Sequence, residues 1–174
     1  MNKIIGSIVI IIIILGAVFF SNNNPKTLVS EEEIKIGFSG PLTGPVAWLG
    51  ELYLSGLTTA EQHINSNGGI NGRPVKLIVE DNGFTGKGGV DTFNTLKNKG
   101  AEIILSLGTV PSVPMSPLSK EAKIPLLAAA TFVDLTIDNP FAIQMSILPE
   151  NDVNATAIDM EKHGDKKIGV LYMN

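Results

Sequence analysis

Cysteine is absent from all 174 residues. That excludes disulfide staples, thiolate metal sites, a cysteine nucleophile and a lipid-modified cysteine anchor. A basic excess is absent as well: 13 Lys and Arg stand against 17 Asp and Glu, for a net charge of −4. That balance does not neutralise a phosphate backbone, so nucleic acid is not an expected partner. Histidine occurs only twice, as His63 and His163. Neither shows a second His or an acid at ligand spacing, so both are read as surface or capping residues and no metal site is expected. Tryptophan occurs once, at Trp48. What is plentiful is apolar: 44% of the residues are hydrophobic and 17% charged. This is enough for a packed core and excludes a wholly disordered chain.

Much of that apolar content sits in one block. Met1-Asn2-Lys3 is followed by the run Ile4–Phe20, broken by Gly6, Ser7 and Gly16, and then by a polar stretch ending in Glu31-Glu32-Glu33. The order of positive start, apolar run and polar exit is that of an export or anchoring signal. As a helix the run spans about 25 Å, short but sufficient for a membrane crossing. Lys3 on one side and the three glutamates on the other place the start in the cytoplasm and the bulk of the chain outside. Cleavage and retention both stay open, because Phe20-Ser21 lacks small residues at the cleavage positions and Leu15-Gly16-Ala17 half fits them. Residues 1–21 are therefore read as signal peptide or membrane anchor, and 22–33, with Pro25 barring helix, as a linker.

From Ile34 onward, strand and helix patterns alternate. Apolar runs at Ile34–Phe38, Val75–Asp81, Glu102–Gly108, Ile124–Ala130 and Phe141–Ile147 read as strands, with another at Lys166–Asn174. Between them, Val46–Asn67 reads as a helix with Leu49, Leu52, Tyr53, Gly56, Leu57, Ala60 and Ile64 on one face, closed by Gly68-Gly69. Gly86–Gly89 precedes a second helix that runs through Asn98, with Val90, Phe93, Leu96 and Lys97 on its inner face. Ser112–Lys123 is a third, starting near Pro114 or Pro117 because proline is tolerated only in a first turn. Asp152–His163 is a fourth. Alternation of this kind predicts an α/β fold, a doubly wound parallel sheet covered on both faces. Ligands in such folds sit beyond the carboxyl ends of the strands.

The loops at that end are neutral and rich in Ser, Thr and Gly. Gly37-x-x-Gly40-x-x-x-Gly44 follows a strand and opens a helix, but its spacing is not that of a dinucleotide loop and Pro41 and Pro45 interrupt it, so no cofactor is expected. Gly86-Lys87-Gly88-Gly89 lacks the frame of a phosphate loop and reads as a turn before a helix. The scattered aspartates read as caps. Asn154-Ala155-Thr156 matches a glycosylation sequon inside a predicted helix and is read as chance. Trp48 lies off the centre of its helix's apolar stripe, which leaves two readings, a core aromatic or a partly exposed ring beside a ligand cleft. Thr109, Ser112 and Thr131 share a placement at strand carboxyl ends, where hydroxyls and helix N-terminal N–H groups hold a carboxylate. No nucleophile–base pair is visible, so no enzyme activity is expected.

Four separated blocks, the GPLTG that starts at Gly40, the long helix after it, INSNGGINGRPVKLIVED and LSKEAKIPLLAAAT, resemble in order and spacing the type 1 periplasmic binding proteins of the leucine/isoleucine/valine-binding branch. The resemblance runs from about Ile34 to Asn174. It implies an extracytoplasmic protein of two α/β lobes, with residues 34–148 as ligand-binding lobe 1 and residues 149–174 as a hinge and the start of lobe 2. It implies a small solute, an amino acid or amide, as ligand, and ABC permease subunits as partners. A membrane-anchored sensory ectodomain is the alternative in the same family. The family's carboxylate-binding serine loop falls on Gly108–Ser112, where this chain offers Thr109, Val110 and Ser112 instead of consecutive serines. The family's Ala-x-Thr after the fourth strand matches Ala129, Ala130 and Thr131, and its loop aromatic falls near Trp48. The chain is short for the family, so it is expected to be a truncated product or fragment, or to be completed by a partner.

Overall fold

A computed structural model of the chain describes residues 33–131, 135–146, 149–164, 166–167 and 169. The run Ile4–Phe20 and most of the expected last strand lie outside them. Among these residues the elements follow in the order β1 (Ile34–Gly40), α1 (Ala47–Ser66), β2 (Val75–Asp81), α2 (Gly86–Asn98), β3 (Ile103–Leu107), α3 (Thr109–Ala122), β4 (Leu126–Ala129), β5 (Ala142–Gln144) and α4 (Pro149–His163), strand alternating with helix up to β4. The sheet runs β2-β1-β3-β4-β5, and every pairing is parallel. The chain leaves β1 toward β2 and returns across β1 to β3. The direction of winding therefore reverses between β1 and β3, and this puts α1 on one face and α2 with α3 on the other.

The core lies on the α2–α3 face. Phe93, Leu96, Ala101, Ile104, Met115 and Leu126 form one buried cluster. Gly37 makes room for it, since a Cβ there would stand 3.0 Å from Leu96 Cδ1. A smaller cluster of Ala128, Ala130, Leu135 and Ala142 continues toward β5. Gly86–Gly89, expected as a turn before the helix, instead form the first turn of α2, because the Thr85 hydroxyl caps the Gly88 N–H at 2.9 Å and starts the helix there. Gly89 packs against α3 so closely that a Cβ would lie 2.2 Å from the Pro111 carbonyl oxygen. On α2, Phe93 and Leu96 are buried as the pattern predicts, whereas Lys97 turns to solvent.

Two helices differ from their sequence patterns for physical reasons. The buried side of α1 runs through Gly50, Leu54, Leu57, Thr58, Glu61, Ile64 and Asn65, while Leu52 is 63% and Tyr53 41% exposed. The helix leans over the outer edge of β2, and polar side chains satisfy that edge. Asn65 accepts the Val75 N–H at 2.7 Å and donates to the Val75 carbonyl at 2.8 Å, and Glu61 accepts the Leu77 N–H at 2.9 Å. A hydrophobic stripe does not register such residues as inward-facing. α3 begins at Thr109 and continues through Pro114 and Pro117. Proline inside a helix costs about 3 kcal/mol, and here the opposing weight is packing. Met115 and Ser119 are fully buried, and Ser116 donates to the Leu135 carbonyl at 2.6 Å.

Candidate functional site

The carboxyl ends of β1, β3 and β4 lie side by side, so their loops form one surface. β3 is followed by Gly108, whose φ of 103° and close approach to the Phe84 ring suit only glycine. A Cβ at this position would sit 2.5 Å from Phe84 Cε2. Gly108 is the N-cap of α3. The Thr109 and Val110 N–H groups open that helix and have no acceptor within it, and Pro111, third in the helix, has no N–H to leave unpaired. Thr109 is half-buried and Val110 is 53% exposed. At the end of β4, the Thr131 N–H donates to Thr109 Oγ1 at 3.1 Å and the two threonine hydroxyls meet at 3.2 Å. Two loops that are distant in sequence are thus tied into one polar, solvent-facing unit beside a helix N-terminus, where the helix dipole favours a negative group.

The other expected residues divide. Ser112 is fully buried, and its hydroxyl donates to the Gly108 carbonyl at 2.6 Å and meets Ser106 Oγ at 2.7 Å. It shapes the first turn of α3 from inside and does not present its hydroxyl at the surface. Ala130 is buried and Ala129 half-buried, so this stretch offers backbone at the surface rather than side chains. The Ala129 carbonyl accepts the Gly108 N–H at 3.1 Å. Trp48 is 63% exposed in the first turn of α1, which removes the core reading for its ring. His63 is exposed in the last turn of α1. His163 does have an acid one turn back: its Nδ1 stands 3.5 Å from Asp159 Oδ1, a surface pair on α4 and no ligand set.

One aspartate at this end, read from the sequence as a cap, holds more than its own turn. Asp81, last in β2, accepts the Leu42 N–H at 2.8 Å, the Gly83 N–H at 2.9 Å and the Thr43 hydroxyl at 2.6 Å. Desolvation, the largest single influence, pushes its carboxyl up, but the hydrogen bonds from Thr43, Leu42 and Gly83 together outweigh it. The group therefore titrates below the ordinary carboxylate range. An acid ending a strand is too common a pattern to signal this. Among the described residues, two hollows of about 310 and 350 Å³ lie away from the threonine pair, one between α2 and α3 beside Lys97 and Glu121, the other beside Pro117 and Ile137.

Comparison with known proteins agrees with this architecture. The family described as "Periplasmic binding protein" matches residues 33–174. The Leu/Ile/Val-binding protein homolog 3 of Brucella melitensis is 33% identical over 145 residues, covering 80% of this chain and 39% of that protein. The leucine-, isoleucine-, valine-, threonine-, and alanine-binding protein of Pseudomonas aeruginosa is 29% identical over 150 residues, covering 83% of this chain and 40% of its own length. Among solved structures, a fatty acid ABC transporter substrate-binding protein from Thermomonospora curvata superimposes with a TM-score of 0.71 at 23% identity, over 80% of this chain and 36% of that one. The chain thus spans about two-fifths of the length of these curated relatives.

Proposed function

Because this chain belongs to the periplasmic binding protein family, we propose that it is the N-terminal, solute-holding part of an extracytoplasmic ABC-importer binding protein whose solute is an amino acid or a close relative. The observation that carries this reading is the Thr109–Thr131 pair beside the N-terminus of α3. Two hydroxyls and the Thr109 and Val110 N–H groups of the first helical turn gather at the sheet's carboxyl end, a donor set that suits a carboxylate. Ala129 and Ala130 supply a small, smooth backbone wall next to it, and Trp48 stands at the same end on α1. The absence of any charged side chain among these residues fits a zwitterion's acid end held by neutral donors. Residues 34–148 form the first lobe, and α4, exposed along Asn151–Asp159, belongs to the hinge and the start of the second. The relatives named above as binding leucine, isoleucine and valine make an aliphatic amino acid the first solute to test.

With one wall only, a carboxylate stays partly hydrated and screened, so calorimetry of the chain with L-leucine is expected to give a millimolar dissociation constant, about 4 kcal/mol. In the complete two-lobed protein, Thr131→Ala removes a donor to a charged group and weakens binding by about 1.5–3 kcal/mol, with little change in the unfolding midpoint because Thr131 is exposed. An unchanged affinity in that variant would remove Thr131 from the site. Micromolar binding by the unaltered chain would show that the affinity does not depend on a second wall.

Ile4–Phe20 enters the membrane with Lys3 in the cytoplasm, as a signal peptide or a retained anchor, so that the lobe stands outside and meets permease subunits. The support is the apolar run and its flanking charges; among the described residues no helix is long and apolar enough to cross a membrane. A reporter fused after Asn174 is expected to be active only outside the cytoplasm, and activity confined to the cytoplasm contradicts this orientation.

A further inference from the structure

The corner between β1 and α1 is held from the neighbouring strand. Asp81 pairs in register with Gly40, the last residue of β1. Its carboxylate reaches across to the next residues of that chain, taking the Leu42 N–H on Oδ1 and the Thr43 hydroxyl on Oδ2, while the Gly83 N–H fixes Oδ1 from its own side. Pro41, between Gly40 and Leu42, is buried and lies against α1. Gly50, buried in that helix, approaches so closely that a Cβ would stand 1.9 Å from the Pro41 carbonyl oxygen. Trp48 precedes Gly50 by two residues in the same helical turn. A continuous chain of contacts therefore runs from Asp81 through Leu42 and Thr43 to Pro41, from Pro41 to Gly50, and along a rigid helix to Trp48. The remaining link carries little side-chain packing: the Ala47 N–H donates to the Gly44 carbonyl at 3.2 Å, but Thr43 and Pro45 are exposed and a Cβ on Gly44, at φ 81°, would meet no atom within 4 Å.

We propose that Asp81 is the positioning residue of this end of the sheet, locking the β1–α1 corner and thereby fixing where the Trp48 ring stands. With three donors already on it, the carboxylate acts on its own loop and not on a solute. The positioning role stands without the functional reading above. Only its consequence for solute binding rests on that reading, through Trp48.

Trp48 is the single tryptophan, so intrinsic fluorescence reports on that ring alone. The experiment uses the full chain in mild detergent, with Asp81→Ala and Asp81→Asn. Asp91→Asn serves as control, because Asp91 pairs with Lys87 on the surface of α2. In Asp81→Ala, acrylamide quenching of Trp48 is expected to rise about twofold and its anisotropy to fall, at unchanged far-ultraviolet circular dichroism. Asp81→Asn, which keeps one acceptor oxygen, falls between, and Asp91→Asn matches the parent. Should Asp81→Ala fail to fold, Thr43→Val, which removes one donor and leaves the carboxylate, is expected to shift both readings in the same direction by less. Unchanged quenching and anisotropy in the folded Asp81 variants, or in Thr43→Val where those variants do not fold, would overturn the positioning role. L-Leucine titration gives the second arm: a dissociation constant raised about tenfold in Asp81→Ala and unaltered in Asp91→Asn joins the corner to solute binding. A parent chain that ignores leucine, together with a loosened Trp48 in the variants, supports the positioning role and counts against the solute reading instead.

Discussion

Ser112 and Thr131 are both small hydroxyl residues at strand carboxyl ends, and the structure gives them opposite duties. Ser112 is sealed beneath the first turn of α3, while Thr131 is exposed and tied to Thr109. Composition and spacing treat them alike; only the direction of each side chain separates a cap from a donor. Asp81 is a third case, because its low titration range has a consequence for stability. Its folded carboxyl holds its proton less tightly than the ordinary value of 3.8. The unfolded chain therefore takes up the proton first as pH falls. The Asp81 contribution is complete above that ordinary value and disappears as pH drops through the lowered folded one. Urea unfolding of the parent and of Asp81→Asn, followed from about pH 6 to about pH 2, is expected to show the parent's advantage shrinking only at the acid end. A difference that stays constant across the range assigns it to shape rather than charge.

At the scale of elements, α1 is the most instructive. Its apolar residues occupy more than one face, and the face that turns inward is chosen by the edge of β2. The two hydrogen bonds between Asn65 and Val75 and the bond that the Leu77 N–H donates to Glu61 occupy backbone groups that an edge strand otherwise leaves unpaired. Replacing Asn65 by Leu raises helix hydrophobicity but leaves the Val75 N–H and carbonyl without that partner, at an expected loss of about 2 kcal/mol or more. Leu52→Ser, on the exposed side, is expected to change stability by no more than about 0.5 kcal/mol. Urea midpoints of the two variants rank these effects, and the reverse ranking would return α1 to its hydrophobic stripe. α3 makes the complementary point, for its prolines are carried by buried neighbours on a helix whose local propensity argues for a later start.

Across the whole molecule the two faces of the sheet are unequal. Val79, Phe38, Leu105, Leu127 and Ile143 share one row of the register on the α1 face. Phe38 is 1% exposed, but Ile143 is 54% exposed and Met145, beyond β5, is 49% exposed. Parallel sheets are stable when both faces are covered. α1 covers the β2 end of this face, and among the described residues nothing comparable covers the β4–β5 end. A contiguous apolar surface of this kind promotes association. Ile143→Lys combined with Met145→Lys is expected to reduce binding of a hydrophobic dye and to shift sedimentation toward monomer, each substitution changing stability by no more than about 0.5 kcal/mol. A large loss of stability would show that these side chains are already packed in solution.

Strand–helix alternation, the bounds of β2, the end of α2, the parallel sheet and the family were legible in the sequence. They rest on periodicity and on glycine and threonine punctuation, which are local properties of the chain. The Thr109 and Thr131 candidates were legible for a related reason, since in a parallel sheet the strand carboxyl ends must gather at one side. What tertiary structure alone decided is orientation: which side of α1 meets β2, that α3 begins at Thr109 despite Pro114 and Pro117, that Ser112 faces inward, and that Asp81 reaches from one strand into the loop of the next. Each depends on partners brought together from distant positions, such as Asn65 with the backbone of β2, Pro111 with Gly89 and Asp81 with Thr43. A one-dimensional pattern records which residues are apolar or polar, but hydrogen bonds and close approaches between separate elements form only once the sheet has set their distances.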